Sequence, residues 1–236
     1  MSKHMKRLAS PRVWSIPKKV HIWAPSQSPG PHPVERSVPL LIMVRDMLGY
    51  CDTAREGRRI IGERNVLIDG RITTNYKLPV GLMDVVSIPK TKENYRALLD
   101  SKGKLRPIRI SKDRAGWKLV RIENITTISG GKKQLNLHDG RNVIAGDDPY
   151  RTGDVLKIEL PSQKVLNYYP LAKGNVAMII GGKHSGQIAT IENYKVIRSP
   201  KPNIVEFKEG FSTIKDHVFV VGKKSPEITV PEVSAV

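Results

Sequence analysis

The sequence predicts an α+β protein that is mostly β, with a short two-helix module followed by small β units. Three observations support this prediction. Apolar residues recur at helical spacing in two short segments between residues 39 and 62. Downstream, short alternating runs are separated by glycine turns, as in small antiparallel sheets. The chain of 236 residues carries 40 Lys and Arg against 22 Asp and Glu, so its net charge of +18 favours a polyanionic partner.

The first 37 residues are predicted to form an extended basic arm. Seven of the 17 prolines lie within residues 1–39, and a segment so rich in proline and charge cannot build a hydrogen-bonded core of its own. Trp14 and Trp23 lie among the cations and have two equally supported uses: stacking on exposed bases, or fastening the arm to the protein's own surface. The cations expected to contact phosphates are Lys3, Lys6, Arg7, Arg12, Lys18 and Lys19.

A first helix is predicted to begin after Ser37, with Pro39 at a position where a missing amide costs nothing, and to end at Gly49. Its apolar residues recur at helical spacing, which predicts one buried face: Leu40, Leu41, Val44, Met47 and Leu48.

A second helix is predicted to begin at Thr53, because Glu56 stands at the capping-box spacing, and to end at Gly62. Its apolar residues fall on one side of the helix, and three arginines fall on the other. The exposed face should therefore present the guanidinium groups of Arg55, Arg58 and Arg59.

A tight hairpin is predicted next, because Asp69-Gly70 separates the apolar run Asn65–Ile68 from Arg71 and Ile72. Two helices, a basic face and this Asn-Val-Leu-Ile-Asp-Gly pattern resemble the small RNA-binding module named after ribosomal protein S4. That resemblance implies that the phosphates of structured RNA meet Arg55, Arg58, Arg59, Arg64 and Arg71. The opening SKHMKRLASPRVWSIPKK resembles the arm of the S4e family of archaeal and eukaryotic small ribosomal subunits, and this likeness spans residues 1 to about 90.

The central region is predicted to be a small antiparallel sheet or barrel with one short helix near Asn94–Leu99. Gly130-Gly131 and Asp139-Gly140 mark its turns, and Trp117 is predicted to lie in its core rather than to contact bases. The predicted strands are Val85–Ile88, Arg106–Ile110, Trp117–Ile122, Gln134–Leu137, Asn142–Ile144 and Val155–Leu160.

A glycine loop follows, within the sequence KGNVAMIIGGKHSGQIATI that starts at Lys173. A phosphate-cradling loop of nucleotide-binding proteins requires glycine and Ser/Thr where this chain has Ala177 and His184, so nucleoside triphosphate binding is not expected. The segment resembles the KOW motif of ribosomal proteins and elongation factors. This resemblance implies an SH3-like barrel whose loop, with Lys183 and His184, approaches an RNA backbone. A plain hairpin loop is the alternative.

The strands of this barrel are predicted to continue over Tyr194–Ile197, Ile204–Phe207 and His217–Val221, with three phenylalanines in the core: Phe207, Phe211 and Phe219. The predicted division is an arm (1–37), an RNA-binding module (38–90), a central β domain (91–170), a KOW barrel (171–222) and a loose tail (223–236). The shortness of the tail favours an archaeal source.

Several classes of protein are not expected from this sequence. No apolar run approaches the ~18 to 20 residues of a membrane-spanning helix, and the single Cys51 cannot form an intrachain disulfide or a cysteine-rich zinc site. Catalytic motifs are absent, and the paired Asp147-Asp148 before Pro149 is predicted to be a turn. We therefore expect no cofactor, metal, membrane or small-molecule substrate.

Taken together, the family resemblance implies a structural, non-enzymatic constituent of the small ribosomal subunit, located in the cytoplasm. Its expected partners are small-subunit ribosomal RNA (rRNA) and neighbouring ribosomal proteins. Two alternatives use the same modules: an RNA-modifying enzyme, and a transcription elongation partner.

Overall fold

The computed structural model describes residues 4–146 and 149–229. Lys3, the turn predicted at Asp147-Asp148 and the end of the tail lie outside the described residues. The chain forms two compact units. The first comprises the residues up to Leu99 together with Lys104–Lys118, and the second comprises Asp100–Gly103 and the chain from Leu119 onward. Strands predominate in both units, which confirms the prediction of a mostly β, α+β protein.

The N-terminal arm is part of the first unit and packs within it instead of extending away. Strand β1 (Met5–Lys6) pairs antiparallel with β2 (Trp23–Ala24), and single 3₁₀ turns occupy Arg7–Ala9 and Val34–Arg36. Strand β3 (Ser37–Pro39) then leads into the helices. The side chain of Trp14 is only 1% exposed, which a proline-rich composition by itself does not predict.

The first helix begins at α1 (Leu40–Ile42) and continues as a π-helical turn over Met43–Met47. Pro39 precedes the helix in an extended conformation, so it caps the helix and does not form its first residue. All five residues from Leu40 to Val44 are buried. The helix is therefore buried on all sides here, whereas the sequence predicts one buried face. Gly49 adopts a φ of 69°, a left-handed conformation that glycine reaches without steric cost, and the helix stops there as predicted.

The second helix, α2 (Ala54–Gly62), has the predicted capping box. The amide of Glu56 donates to the Thr53 hydroxyl at 3.2 Å, and the Thr53 amide donates to the Glu56 carboxylate at 3.3 Å. Gly62 is the last residue of the helix, where the sequence predicts its end. The left-handed residue after the helix is Arg64, with a φ of 62°, and its amide bonds back to the Ile61 carbonyl.

The first unit contains a five-stranded antiparallel sheet with the strand order β5-β4-β7-β8-β9. Asp69 and Gly70 have φ values of 50° and 75°, which is the expected geometry of an Asp-Gly hairpin turn. A further strand, β6, pairs with β3. The bounds are β4 (Leu67–Ile68), β5 (Arg71–Ile72), β6 (Pro79–Gly81), β7 (Val85–Ile88), β8 (Glu93–Leu99) and β9 (Leu105–Ile110).

The short helix predicted over Asn94–Leu99 is wrong, because these residues belong to strand β8. That strand pairs with β7 on one side and with β9 on the other, and two partners satisfy its backbone in the extended form. The sheet therefore runs across the boundary predicted at residue 90. A single helical turn, α3 (Lys112–Ala115), follows β9.

A buried charge network lies inside the first unit. The Lys118 ammonium group lies 2.9 Å from a carboxylate oxygen of Asp69 and 2.5 Å from one of Asp84. The other Asp84 oxygen bonds to the His32 ring at 2.9 Å and accepts the Gly81 amide at 2.8 Å. Burial opposes the ionisation of Asp84, but His32 and Lys118 outweigh it and hold the pKa of that carboxyl well below its usual range.

The second unit contains two five-stranded antiparallel sheets. The first has the order β12-β11-β10-β13-β14, and its core includes Val120, Leu135 and Leu156. The sequence indicated the first four of its strands but not the fifth. The bounds are β10 (Trp117–Thr127, which begins in the first unit), β11 (Lys133–Leu137), β12 (Asn142–Ile144), β13 (Val155–Glu159) and β14 (Val165–Tyr169).

The other sheet of this unit has the order β18-β17-β16-β15-β19. Phe207 and Phe219 are buried as predicted, whereas Phe211 is only partly buried. The start of the predicted loose tail is packed: Ile228 is 4% exposed and the Glu227 amide bonds to the Val221 carbonyl. The bounds are β15 (Val176–Ile179), β16 (Ile188–Lys195), β17 (Ile204–Phe207), β18 (Ser212–Ile214) and β19 (Val218–Gly222).

The contact between Gly81 and the His32 ring leaves no room for a side chain. A Cβ at Gly81 would lie 2.4 Å from the ring, so Gly81→Ala should displace His32 from Asp84 and lower the free energy of unfolding by roughly 1–3 kcal/mol. Gly62→Ala is the matched control, because a Cβ there meets nothing within 4 Å and should leave stability equal or higher. Urea unfolding of both variants measures the difference, and equal stabilities would contradict the tight packing.

The lowered pKa of Asp84 predicts a loss of stability in acid. A carboxyl whose pKa is lower in the folded state contributes stability that is complete above its unfolded pKa of about 3.9 and is lost as the pH falls further. Asp84→Asn removes this proton uptake. Between about pH 5 and pH 2 the unfolding free energy should therefore fall less steeply in the variant than in the wild type. Parallel curves in urea titrations at several pH values would show that Asp84 is not ionised in the folded protein.

Candidate nucleic-acid interface

Helix α2 presents the basic face that its sequence predicts. The side chains of Arg55, Arg58 and Arg59 are exposed, while Gly57 and Ile61 of the same helix are buried. This separation follows from the helical period, which places residues three or four positions apart on the same side. The buried side brings the helix close to α1: a Cβ on Gly57 would lie 2.6 Å from the side chain of Leu41.

Arg59 and Arg58 make different contacts with neighbouring side chains. Arg59 donates from Nε to the Glu63 carboxylate at 2.8 Å, an exposed pair one helical turn apart. The guanidinium carbon of Arg58 instead lies 4.7 Å from the centre of the Tyr76 ring, over its face. Arg58 therefore keeps its N–H donors available to a ligand, whereas Arg59 already shares one with a carboxylate.

The hairpin after α2 adds two exposed cations, Arg64 and Arg71. The acidic residue of the turn does not neutralise them. The Asp69 carboxylate is buried, where it accepts from Lys118 and from the Val85 amide at 2.9 Å. Turning this carboxylate inward leaves the outer side of the hairpin positively charged.

The arm cations divide into exposed and buried groups. Lys6, Arg12 and Lys19 are exposed, and Lys18 is partly buried and donates to the Ser10 carbonyl at 2.9 Å. The expectation for Arg7 requires correction, because its side chain is 1% exposed.

The Arg7 guanidinium donates to the Pro17 carbonyl at 2.6 Å and lies 3.5 Å from Asp46. Those contacts make it a structural link between two segments of the arm and the first helix, and they withdraw it from any surface that could meet RNA.

The two arm tryptophans have different environments. The Trp14 indole is buried, and its N–H donates to the Ser37 carbonyl at 2.7 Å. The Leu105 amide of β9 donates to the neighbouring Val13 carbonyl at 2.9 Å, so this part of the arm is fastened to the rest of the first unit. Trp23 is 57% exposed, and His4 lies beside it with ring centres 5.6 Å apart. Lys6 is the direct cross-strand partner of Trp23, which places the cation and the indole on the same face of the ribbon.

The glycine loop joins β15 to β16, as the sequence predicts for a strand-loop-strand segment. Gly182 and Gly186 have φ values of 82° and 81°, and Lys183 is exposed with no ion pair to any described residue. The His184 ring stacks on Phe211 with centres 4.3 Å apart and an interplanar angle of 13°, and its Nδ1 lies 3.1 Å from the side-chain oxygen of Gln187.

The sequence analysis missed Tyr76 and Lys77, which lie beside α2. The Lys77 ammonium group is 5.7 Å from the centre of the Tyr76 ring, so two cations approach the same ring. The sequence signal was weak: a Tyr-Lys pair in a loop after a hairpin has no periodicity, and its nearness to α2 depends on the fold.

A half-buried cluster of Tyr50, Glu93 and Tyr95 does not suit acid-base catalysis. Glu93 accepts hydrogen bonds from the hydroxyls of Tyr50 and Tyr95, and these bonds lower the pKa of Glu93. Burial and the same hydrogen bonds raise the pKa of Tyr95 above its usual value. Both shifts move the groups away from neutrality, where general acids and bases work best.

The described residues contain no cluster of three or more metal-ligating side chains. Among the same residues, no helix combines the length and the apolar character needed to cross a membrane.

Exposed cations on a helix face, a hairpin turn and a glycine loop define a class of protein that binds a polyanion. Comparison with known proteins is more specific. The model described as "Ribosomal family S4e" matches residues 91–165, the "RS4NT (NUC023) domain" matches residues 1–35, and the "S4 domain" matches residues 40–86.

Relatives that match nearly the full length of the chain belong to the same family as these models. The chain is 48% identical to small ribosomal subunit protein eS4 of Methanothermobacter thermautotrophicus, over 97% of this chain and 96% of the relative. It is 46% identical to small ribosomal subunit protein eS4 of Staphylothermus marinus, over 98% of this chain and 96% of that relative. The crystal structure of the 30S ribosomal protein S4e from Thermoplasma acidophilum superimposes with a TM-score of 0.71 at 38% identity, covering 80% of this chain and 96% of that one.

The chain belongs to the ribosomal protein family S4e. Membership confirms the prediction of a structural protein of the small ribosomal subunit, located in the cytoplasm within the ribosome, and the prediction that it is not an enzyme. These relatives come from archaea, in agreement with the expected source.

The difference in burial between Trp14 and Trp23 predicts different effects of their substitution on the free energy of unfolding. Trp14→Ala removes a buried indole and its hydrogen bond, and should lower the free energy of unfolding by about 3–5 kcal/mol. Trp23→Ala removes an exposed ring and should change it by less than about 0.5 kcal/mol. Urea denaturation followed by circular dichroism measures both variants, and a large loss with Trp23→Ala would assign that ring to the core.

Proposed function

We propose that the chain binds small-subunit rRNA through three surfaces and stabilises the folded RNA by neutralising closely packed phosphates. The helix surface consists of Arg55, Arg58, Arg59, Arg64 and Arg71. The arm surface consists of Lys3, Lys6, Arg12, Lys18 and Lys19. The loop surface consists of Lys183 and His184. Arg7, although part of the sequence expectation, is excluded by its burial.

The observation that carries the proposal is the helix surface. Arg55, Arg58, Arg64 and Arg71 are exposed cations without an ion pair to any described residue, and the nearest acid in the hairpin, Asp69, is turned inward. Concentrated uncompensated charge costs self-repulsion in the free protein. An RNA backbone removes that cost and releases its condensed counterions.

Each of the other two surfaces has an additional supporting feature. On the arm, Trp23 is exposed on the same face as Lys6, so a base can stack on the indole while the cation meets a phosphate. In the glycine loop, Gly182 is exposed and has no side chain to obstruct a phosphate, as in the proposed KOW unit. Gly186 is buried against the Asp100 backbone and shapes the loop instead. His184 contributes less, since Phe211 covers one face of its ring.

The proposed RNA contacts are assigned to the segments that the sequence predicts. The arm (1–37) and the RNA-binding module (38–90) bind RNA in the first unit, and the KOW barrel (171–222) binds RNA in the second. Strands β8 and β9 lie beyond the boundary proposed at residue 90 and pair in the same sheet as β7. Neighbouring ribosomal proteins are the second class of partner. Neither alternative, RNA modification or transcription elongation, is supported by the relatives.

The proposal predicts a strong dependence of rRNA affinity on salt. Several phosphate contacts release several counterions, so the affinity should fall more than about tenfold between roughly 50 and 200 mM salt. Filter binding with small-subunit rRNA measures it, and a smaller change would argue against an electrostatic interface.

Variants identify the helix surface within that interface. Arg58→Ala combined with Arg59→Ala should weaken rRNA binding roughly tenfold or more without changing the unfolding midpoint. Lys195→Ala is the control, because this exposed lysine is already paired with Glu206 at 2.6 Å. Equal affinities of the double variant and the control would move the RNA surface away from α2.

A further inference from the structure

A single aromatic ring brings two cations together beside α2. Tyr76 lies in the loop between β5 and β6, with the guanidinium of Arg58 at 4.7 Å from the ring centre and the ammonium of Lys77 at 5.7 Å. Both distances lie within the range of cation–π attraction, about 6 Å. The ring thus holds near each other two like charges that would otherwise separate.

The ring contact orients Arg58 without occupying its donors. The contact with the ring face is electrostatic and uses no hydrogen bond, so it leaves the five N–H donors of the guanidinium unpaired. Among the described residues Arg58 makes no hydrogen bond or ion pair, in contrast to Arg59, which donates to Glu63. Arg58 is therefore fixed in position and remains free to bind an anion.

The loop that carries the ring is held by backbone hydrogen bonds that do not involve Arg58. The Tyr76 carbonyl accepts the Leu41 amide at 2.9 Å, at the start of the first helix. The Lys77 amide donates to the Asn75 side chain at 3.0 Å, and the Lys77 carbonyl accepts the Ser28 amide at 3.1 Å. These bonds are made by the backbone of Tyr76 and Lys77, so their side chains are available for another role.

We propose that Arg58, Tyr76 and Lys77 form a preorganised site for one phosphodiester group of RNA, in which Tyr76 is a positioning residue for Arg58. This inference rests on the proposed function and names the member of the helix surface that is ready for a ligand. The fork of a guanidinium matches two phosphate oxygens, and the nearby ammonium adds a point charge. Fixing the Arg58 side chain before binding reduces the entropy lost on binding.

A double-mutant cycle in rRNA binding tests the site. Arg58→Ala should weaken binding roughly tenfold, and Tyr76→Ala should weaken it about two- to fivefold although no charge is removed. In the Arg58→Ala background, Tyr76→Ala should add less than about a twofold loss, because the ring then has little left to position. Combined with Arg59→Ala, by contrast, the two effects should multiply.

Two further variants distinguish the contribution of the Tyr76 π face to rRNA binding from the contributions of the side chain's volume and of its hydroxyl. Tyr76→Phe keeps the π face and should bind rRNA like the wild type, whereas Tyr76→Leu keeps apolar bulk without the face and should bind like Tyr76→Ala. Urea unfolding of each variant confirms that the loop is intact, and Tyr76→Leu serves if Tyr76→Ala is destabilised.

The failure of this site is distinguishable from failure of the proposed function. If the wild type binds rRNA but Tyr76→Ala and Tyr76→Leu bind equally well, the positioning role is overturned. It is also overturned if the Tyr76→Ala effect is the same with and without Arg58. If the wild type itself shows no salt-dependent rRNA binding, the proposed function falls and this site falls with it.

Discussion

The buried ion network around Lys118 is the interaction on which the first unit depends. One ammonium group joins Asp69 in the hairpin turn to Asp84 before β7, and Asp84 in turn bonds to His32 at the end of the arm. Buried ions are tolerated only when each has its partners, and removal of one leaves an uncompensated charge in a low dielectric. The network therefore couples three segments that are far apart in the sequence.

This network also determines the character of the outer surface. Asp69 occupies its turn because an Asp-Gly pair favours that geometry, but its carboxylate bonds inward to Lys118 and to the Val85 amide. An outward carboxylate would lie near Arg71 and weaken its attraction for phosphate. The same residue thus sets the hairpin turn and, through its buried partner, leaves the neighbouring cations unneutralised.

The positive charge of the chain serves two distinct purposes. Some cations cross-link the protein internally: Arg96 donates to the carbonyls of Arg114 and Trp117, and Arg121 donates to those of Asp216 and Val218. Small sheets with short strands leave many carbonyls unpaired, and a guanidinium with five donors satisfies several at once. Other cations, among them Arg55, Arg58 and Arg64, are exposed, and the proposed function assigns them to RNA.

Sequence alone determined the features that depend on neighbouring residues. The capping box of α2, the Gly49 stop, the Asp-Gly hairpin and the basic helix face follow from contacts within about four positions, which the residue types specify directly. Family membership followed as well, because the motifs of the arm and the module occur in order.

Only the tertiary structure decided the features that depend on distant partners. Asn94–Leu99 became a strand because β7 and β9 lie on either side of it, and Arg7 became structural because Pro17 and Asp46 surround it. Trp14 and Trp23, alike in sequence context, separated into an anchor and an exposed ring. Tyr76 was brought to Arg58 by a loop whose position depends on α1 and the arm. Burial and cross-strand pairing join residues far apart in the chain, so local sequence carries no direct signal of them.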